Sequence, residues 1–155
     1  MENAEGRQAA WESLPSRLLT QTAQHAQRLA ADGFAAVGAR GYHYRLLATL
    51  AESGPASQAE LGRRSGIHVS DMVATVNELA ERGLAERAPD PADRRRNVVT
   101  ITAAGRRRLR SLEKQAAACQ EELLAPLDAD ERDQLTGLLS RLLAHHSRLA
   151  DTAGR

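Results

Sequence analysis

Three consecutive arginines, Arg94, Arg95 and Arg96, follow Asp93 in the run APDPADRRRNVVTIT, and no other stretch of this chain is better equipped for chemistry. Guanidinium groups stay charged, and their planar fork matches phosphate oxygens. Prolines at 89 and 91 stiffen the approach and β-branched residues follow, so the arginines fall at the tip of a strand–loop–strand hairpin. A narrow DNA minor groove attracts arginine electrostatically, which makes such a tip a groove probe. Just upstream lies IHVSDMVATVNELAERG, in which Val69, Met72, Val73, Val76, Leu79 and Ala80 recur at helical spacing as one buried stripe. Ser70, Asp71, Ala74, Thr75 and Asn77 lie off that stripe and are candidates for the groove-facing surface. His68 stands near the start of this helix. Asp71 falls in its first turn, where a carboxylate suits the positive end of the helix dipole. Facing DNA, Asp71 repels phosphate unless it accepts a hydrogen bond, for example from cytosine N4; capping is the simpler reading.

The charge distribution agrees with a nucleic-acid face. Among 155 residues, 21 Lys and Arg oppose 20 Asp and Glu, a formal net charge of +1, so the body is nearly neutral. Yet Arg82, Arg87, Arg94, Arg95, Arg96, Arg106, Arg107, Arg108 and Arg110 crowd one stretch, while acids gather in EELLAPLDADERD. A solvated helix face explains Arg106 to Arg110 equally well. One cysteine excludes an internal disulfide framework. No signal-peptide pattern opens the chain and no apolar run reaches membrane-span length, so a cytoplasmic protein is expected.

The elements that must position these residues can be read in order. Residues 1–10 are polar and expected to fray. Ser13-Leu14-Pro15 starts a helix running to about 37, with two apolar stripes that one small domain cannot cover. Gly38 and Gly41 bracket a break, and YHYRLLATLAES forms the next helix until Gly54-Pro55. Ser57 and Glu60 make a capping-box pattern for a supporting helix, and Ser65-Gly66 supplies the tight turn before the Val69 helix. Val99 and Ile101 face inward by alternation, with Thr100 out. Thr102 caps a long helix on which Gly105, Leu109, Leu112, Ala116, Cys119 and Leu123 form a heptad-like seam. Leu127-Asp128 marks another boundary, and Leu135, Leu138, Leu139, Leu142, Leu143, His146 and Leu149 make a final stripe. The fold class predicted is mainly α with a small β-hairpin wing: a winged helix-turn-helix, at about 41–104, with long N- and C-terminal dimerisation helices at about 11–37 and 105–150 of a single domain. The seam with the first and last helices is expected to build the dimer.

DPADRRRNVVTITAAG resembles the wing signature of the multiple-antibiotic-resistance regulator (MarR) family, and ELGRRSGIHVSDMVATVNELAERGLAER resembles its two DNA-binding helices; the likeness covers roughly 11–150. The resemblance implies that Asp93 braces Arg95 for the minor groove and that Ser57, His68, Ser70, Asp71, Ala74, Thr75, Asn77, Asp93, Arg94, Arg95 and Arg96 meet DNA. Asp71 and Ala74 depart from the family's pattern, which has a neutral hydroxyl residue and frequently an arginine there. The resemblance further implies a crevice for phenolic or other aromatic acids, in which Arg17, His25 and Tyr44 could clamp an anion, although a solvated helix face explains them as well.

Other chemistry finds little footing. Cys119 lies on the apolar seam without a resolving cysteine, which argues for packing. The five histidines show no metal-ligand spacing, and no nucleophile or acid–base motif is recognisable, so neither cofactor, metal nor catalysis is expected. The reading is a sequence-specific DNA-binding transcriptional regulator, a ligand-responsive repressor binding a pseudo-palindromic operator as a homodimer. The alternative is a non-DNA-binding dimeric adaptor or ligand-sequestering module on the same fold.

Overall fold

Caps and glycines at positive φ cut the chain where the sequence predicts. In the computed structural model, which describes residues 10–153, the helices are α1 (Pro15–Ala36), α2 (Gly41–Ser53), α3 (Gln58–Ser65), α4 (Val69–Glu81), α5 (Ala103–Leu123) and α6 (Ala129–Ala153). Strands β1 (Ala85–Pro89) and β2 (Asn97–Ile101) lie between α4 and α5. The expected frayed segment 1–10 falls, Ala10 apart, outside the described residues. The mainly α fold with one antiparallel hairpin is the fold class expected.

Ser57 starts α3 by the predicted capping box: its hydroxyl accepts the Glu60 N–H, and the Glu60 carboxylate accepts the Ser57 N–H at 2.9 Å. The Ser57 N–H and the Ser57 hydroxyl, which also donates to it at 3.0 Å, hold the Glu60 carboxyl below its usual value. Gly66 ends α3 in the left-handed region at φ 65°, where a β-carbon would be strained, and so turns the chain into α4. The strands pair in register from Ala85 opposite Ile101 to Pro89 opposite Asn97. Ala56 bridges Val99 on the other edge of β2, donating at 3.2 Å and accepting at 2.8 Å. β2 is thus paired on one edge and bridged on the other; Val99 and Ile101 are buried and Thr100 less so, as the alternation expects, and Val98 is buried besides.

Two compact units divide the chain, one reaching Cys119 and one starting at Gln120. In the first, Leu46, Leu47 and Leu50 of α2, Leu61 of α3, Met72, Val76 and Leu79 of α4, Val99 of β2 and Leu112 of α5 form the core. Each such side chain contributes about 1.5–3 kcal/mol on leaving water. Leu109, Leu112 and Cys119 of the α5 seam are buried here within one protomer, against the expectation that the seam builds the dimer. Cys119 packs as the sequence suggests: its thiol lies 3.5 Å from the Leu29 carbonyl, and a β-carbon on Gly33 would fall 2.4 Å from its sulfur. In the second unit, Asp128 and Glu131 cap α6 reciprocally, and Arg132 pairs with Glu121 at 2.8 Å. α6 leaves Leu138, Leu139, Leu142, Leu143 and Leu149 exposed, Leu143 by 70%.

Gly105 is where α5 meets the turn after α4. Thr102 caps α5 by accepting the Gly105 N–H at 3.0 Å, while its hydroxyl donates to the Gly83 carbonyl at 2.7 Å. A β-carbon on Gly105 would sit 2.0 Å from the Leu84 carbonyl oxygen, a backbone atom with nowhere to go. Gly105→Ala is expected to destabilise by about 3 kcal/mol, at the upper end of overpacking effects, lowering Tm on the order of 10 °C. Gly41→Ala, at a helix start with open space around it, should change Tm by far less; equal shifts in a thermal melt would refute the close approach.

Candidate nucleic-acid interface

α4 presents two faces, and they are not quite those the apolar pattern predicts. Met72, Thr75, Val76 and Leu79 point into the core. Thr75 has no exposed surface, and its hydroxyl donates to the Asp71 carbonyl at 2.6 Å, so it is removed from the groove-facing set. Bonded back to its own helix, a threonine is accommodated in an apolar core. Conversely, Val69 and Val73, assigned by spacing to the buried stripe, are 74% and 43% exposed. The inward arc is centred between Thr75 and Val76, which at 100° per residue leaves Val73 near its edge and Val69 on the open first turn.

The outward face therefore carries Val69, Ser70, Val73, Ala74 and Asn77, all exposed. His68, the residue before the helix, supplies no side-chain cap; its Nδ1 lies 3.0 Å from the Ser70 hydroxyl. Asp71 is half-buried in the first turn, and its carboxylate forms no hydrogen bond or ion pair among the described residues. It complements the dipole without the hydrogen-bonded cap expected of it. Ser57 is half-buried and committed to capping α3.

Arg87 of β1 ties the wing to this face, a role the sequence reading did not foresee. Its guanidinium donates to Gln58 Oε1 at 3.1 and 3.2 Å and to Asn77 Oδ1 at 2.7 Å, joining the start of α3, the middle of α4 and the hairpin. Beyond it the tip closes through main-chain bonds, Asp90 N–H to the Arg96 carbonyl at 2.7 Å and Arg96 N–H to the Asp93 carbonyl at 2.9 Å. Asp93 does brace Arg95, but through the backbone: its Oδ1 accepts the Arg95 N–H at 3.0 Å. Arg94, Arg95 and Arg96 stand exposed. No motif spacing signals Arg87; the hint lies in the pairing, which sets it opposite buried Val99, on the side of the hairpin that faces α3 and α4.

Behind α4, a polar cluster fixes the segment joining α1 to α2. Arg82 donates to the Gly38 carbonyl at 2.8 Å, Arg108 donates to the Val37 carbonyl, and Arg40 pairs with Glu78 of α4. Buried His43 completes it: Nδ1 accepts the Arg40 N–H at 3.2 Å and Nε2 donates to Glu78 Oε2 at 2.7 Å, which requires the neutral Nε2–H tautomer. Burial pushes the His43 pKa below its usual 6.5, with Arg82 and Arg40 acting in the same sense and Glu78 against them. The bond from Arg40 holds the Glu78 carboxyl below the ordinary 4.5. Because the folded His43 binds protons less readily than the unfolded one, stability is full above pH 6.5 and falls as pH drops below it. Urea titrations should show a falling midpoint between pH 7.5 and 5.5, and His43→Gln should flatten that slope; an unchanged slope would mean the histidine does not titrate with folding.

The three residues expected to clamp an anion are not brought together. Arg17 lies over Trp11 and donates to the Glu12 carbonyl, His25 meets Arg28, and Tyr44 stacks on Phe34 with centroids 5.6 Å apart. Since Arg17 and Phe34 are 17 residues apart on α1, the set spans about 25 Å of helix, too far for one small acid within a protomer.

Known proteins resemble this chain in sequence and in fold. The sequence profile of the MarR family matches residues 37–96, which run from the Val37 segment to the wing tip. A candidate transcriptional regulator of the hcr operon in Thauera aromatica is 34% identical over 104 residues, 67% of this chain and 63% of its own length. The transcriptional repressor NicR of Pseudomonas putida is 32% identical over 97 residues, 63% of this chain and 61% of its own. This chain thus spans less than two thirds of the length of these two relatives. A crystal structure of a candidate transcriptional regulator from Pseudomonas aeruginosa is 33% identical, with a TM-score of 0.74 over 85% of this chain and 98% of that one.

Proposed function

The chain belongs to the MarR family, and on that premise we propose that it is a DNA-binding transcriptional regulator, a repressor that binds a pseudo-palindromic operator as a homodimer. One observation carries the reading: Arg87 locks the exposed face of α4 and the arginine-tipped wing into one surface. A helix in the major groove with its wing arginines beside it meets the two kinds of contact that sequence-specific binding needs, base edges for specificity and phosphates for affinity. The adaptor alternative leaves that convergence without a use. A regulator of this kind would act in the cytoplasm. No helix among the described residues is long and apolar enough to cross a membrane.

Regulation would follow from geometry. Two α4 helices must enter grooves about one DNA turn, roughly 34–36 Å, apart. Arg82 and Glu78 tie α4, and Arg108 ties α5, to the segment that follows α1, so an effector that moves α1 changes that spacing and weakens binding. Small aromatic or phenolic acids, the class the family likeness implies, are the effectors to try, at a site other than an Arg17–His25–Tyr44 clamp. Mobility shifts on the DNA upstream of the protein's own gene test the reading: a saturable shift that resists excess random duplex is expected, released by an active effector. Equal competition by random and upstream DNA would refute it.

A further inference from the structure

The outward face of α4 is unusual in what it lacks. Val69, Ser70, Val73, Ala74 and Asn77 include no lysine or arginine, so the bidentate contact to guanine that such side chains make is not available from this face. The two-bond contact of Asn77 to adenine competes with Arg87, which already donates to its Oδ1 at 2.7 Å and fixes the amide toward the wing. What remains, beside the Ser70 hydroxyl that meets His68 Nδ1, is apolar: Val69 and Val73 at 74% and 43% exposure, with the Ala74 methyl beside them. Val69 is the most exposed of the large hydrophobic side chains among the described residues. Val69, left mostly in water, adds little to the stability of the fold.

Charge says what covers this face. Arg63 and Arg64 at the end of α3 and Arg94, Arg95 and Arg96 on the wing are exposed, an arrangement that holds a polyanion against the uncharged strip. In the DNA major groove the one apolar group on a base edge is the thymine C5-methyl. We infer that Val69 and Val73 read thymine methyl groups, making them specificity-determining residues of this interface, and that each operator half-site carries T·A pairs where they face. This inference rests on the DNA-binding reading above. It also accounts for Ala74 in place of a longer side chain: a bulky residue one position on from Val73 would hold the helix away from the methyls.

Uracil lacks only that methyl and pairs as thymine does, so it isolates the contact. Duplexes would be selected from a random library with the full-length protein, and the best operator resynthesised with uracil replacing each thymine in turn. Losing one contacted methyl should weaken binding about four-fold, the equivalent of one buried methylene. The sensitive positions should form two clusters one DNA turn apart. Val69→Ala and Val73→Ala, at exposed sites that do not threaten folding, should each lose sensitivity at their own positions. Operators without thymine in the half-sites would overturn the inference, as would uracil binding within two-fold of thymine at every position. So would equal uracil penalties in the wild type and both valine variants, which would assign the effect to DNA shape. In those cases the protein still binds DNA and only the methyl readout fails; if the selection retains no duplex, the DNA-binding reading fails and the inference with it.

Discussion

Replacing Arg94, Arg95 and Arg96 together with alanine is expected to weaken operator binding by at least about a hundred-fold while leaving the fold intact. Each guanidinium seated at a groove or phosphate contributes roughly 1–3 kcal/mol, and neighbouring contacts are not additive, so about 3 kcal/mol is a floor for three. The fold should tolerate the change, because the tip is closed by main-chain bonds and by Asp93 holding the Arg95 N–H, none of which uses a guanidinium. Salt dependence provides the second readout. A dimer that loses six phosphate contacts loses about five units of log–log slope, so the variant should approach the wild type as salt rises. Binding isotherms across a salt series, with a thermal melt as control, check both; unaltered affinity and slope would show that the wing does not touch DNA.

Much of this surface was legible in the sequence because its signals are local. The Ser57–Glu60 box, the Gly66 turn, the Thr102 cap and the proline-bounded arginine run each depend on a few adjacent residues, and each appears where expected. Long-range partnership was the part that could not be read. Thr75 and Val73 exchange the places that polarity assigns them, because the hydroxyl of Thr75 satisfies itself on the Asp71 carbonyl while the lobe covers only an arc of about 100°. Arg87, His43 and Glu78 become informative only once strand, loop and helix are side by side. The seam on α5 has a periodicity that announces burial but not the partner, and the partner turned out to lie in the same protomer.

That burial leaves the expected dimer contact to the other two surfaces named for it, the first and last helices. With the α5 seam occupied, Leu18 and Leu19 on α1 and the leucines of α6 remain as exposed apolar area, each within its own unit. Monomeric proteins rarely expose contiguous apolar patches of that kind, whereas obligate dimers resemble a core cut in half. Replacing both Leu142 and Leu143 with glutamate puts four like charges per dimer into such an interface. Each carboxylate is costly to desolvate without a partner, so association should fail: light scattering should report monomer mass at concentrations where the wild type is dimeric. Operator binding should then fall much further than for the arginine variant. Two linked half-site contacts benefit from an effective concentration that separate monomers lack, a gain on the order of 10²–10⁴, and the one-turn spacing is no longer held by the protein. Because both leucines are exposed in the protomer, the helical content and the melting of the DNA-binding lobe should be preserved. An unchanged dimer carrying both glutamates would place the interface elsewhere, and a monomer that still bound its operator at wild-type affinity would remove the need for a dimer altogether.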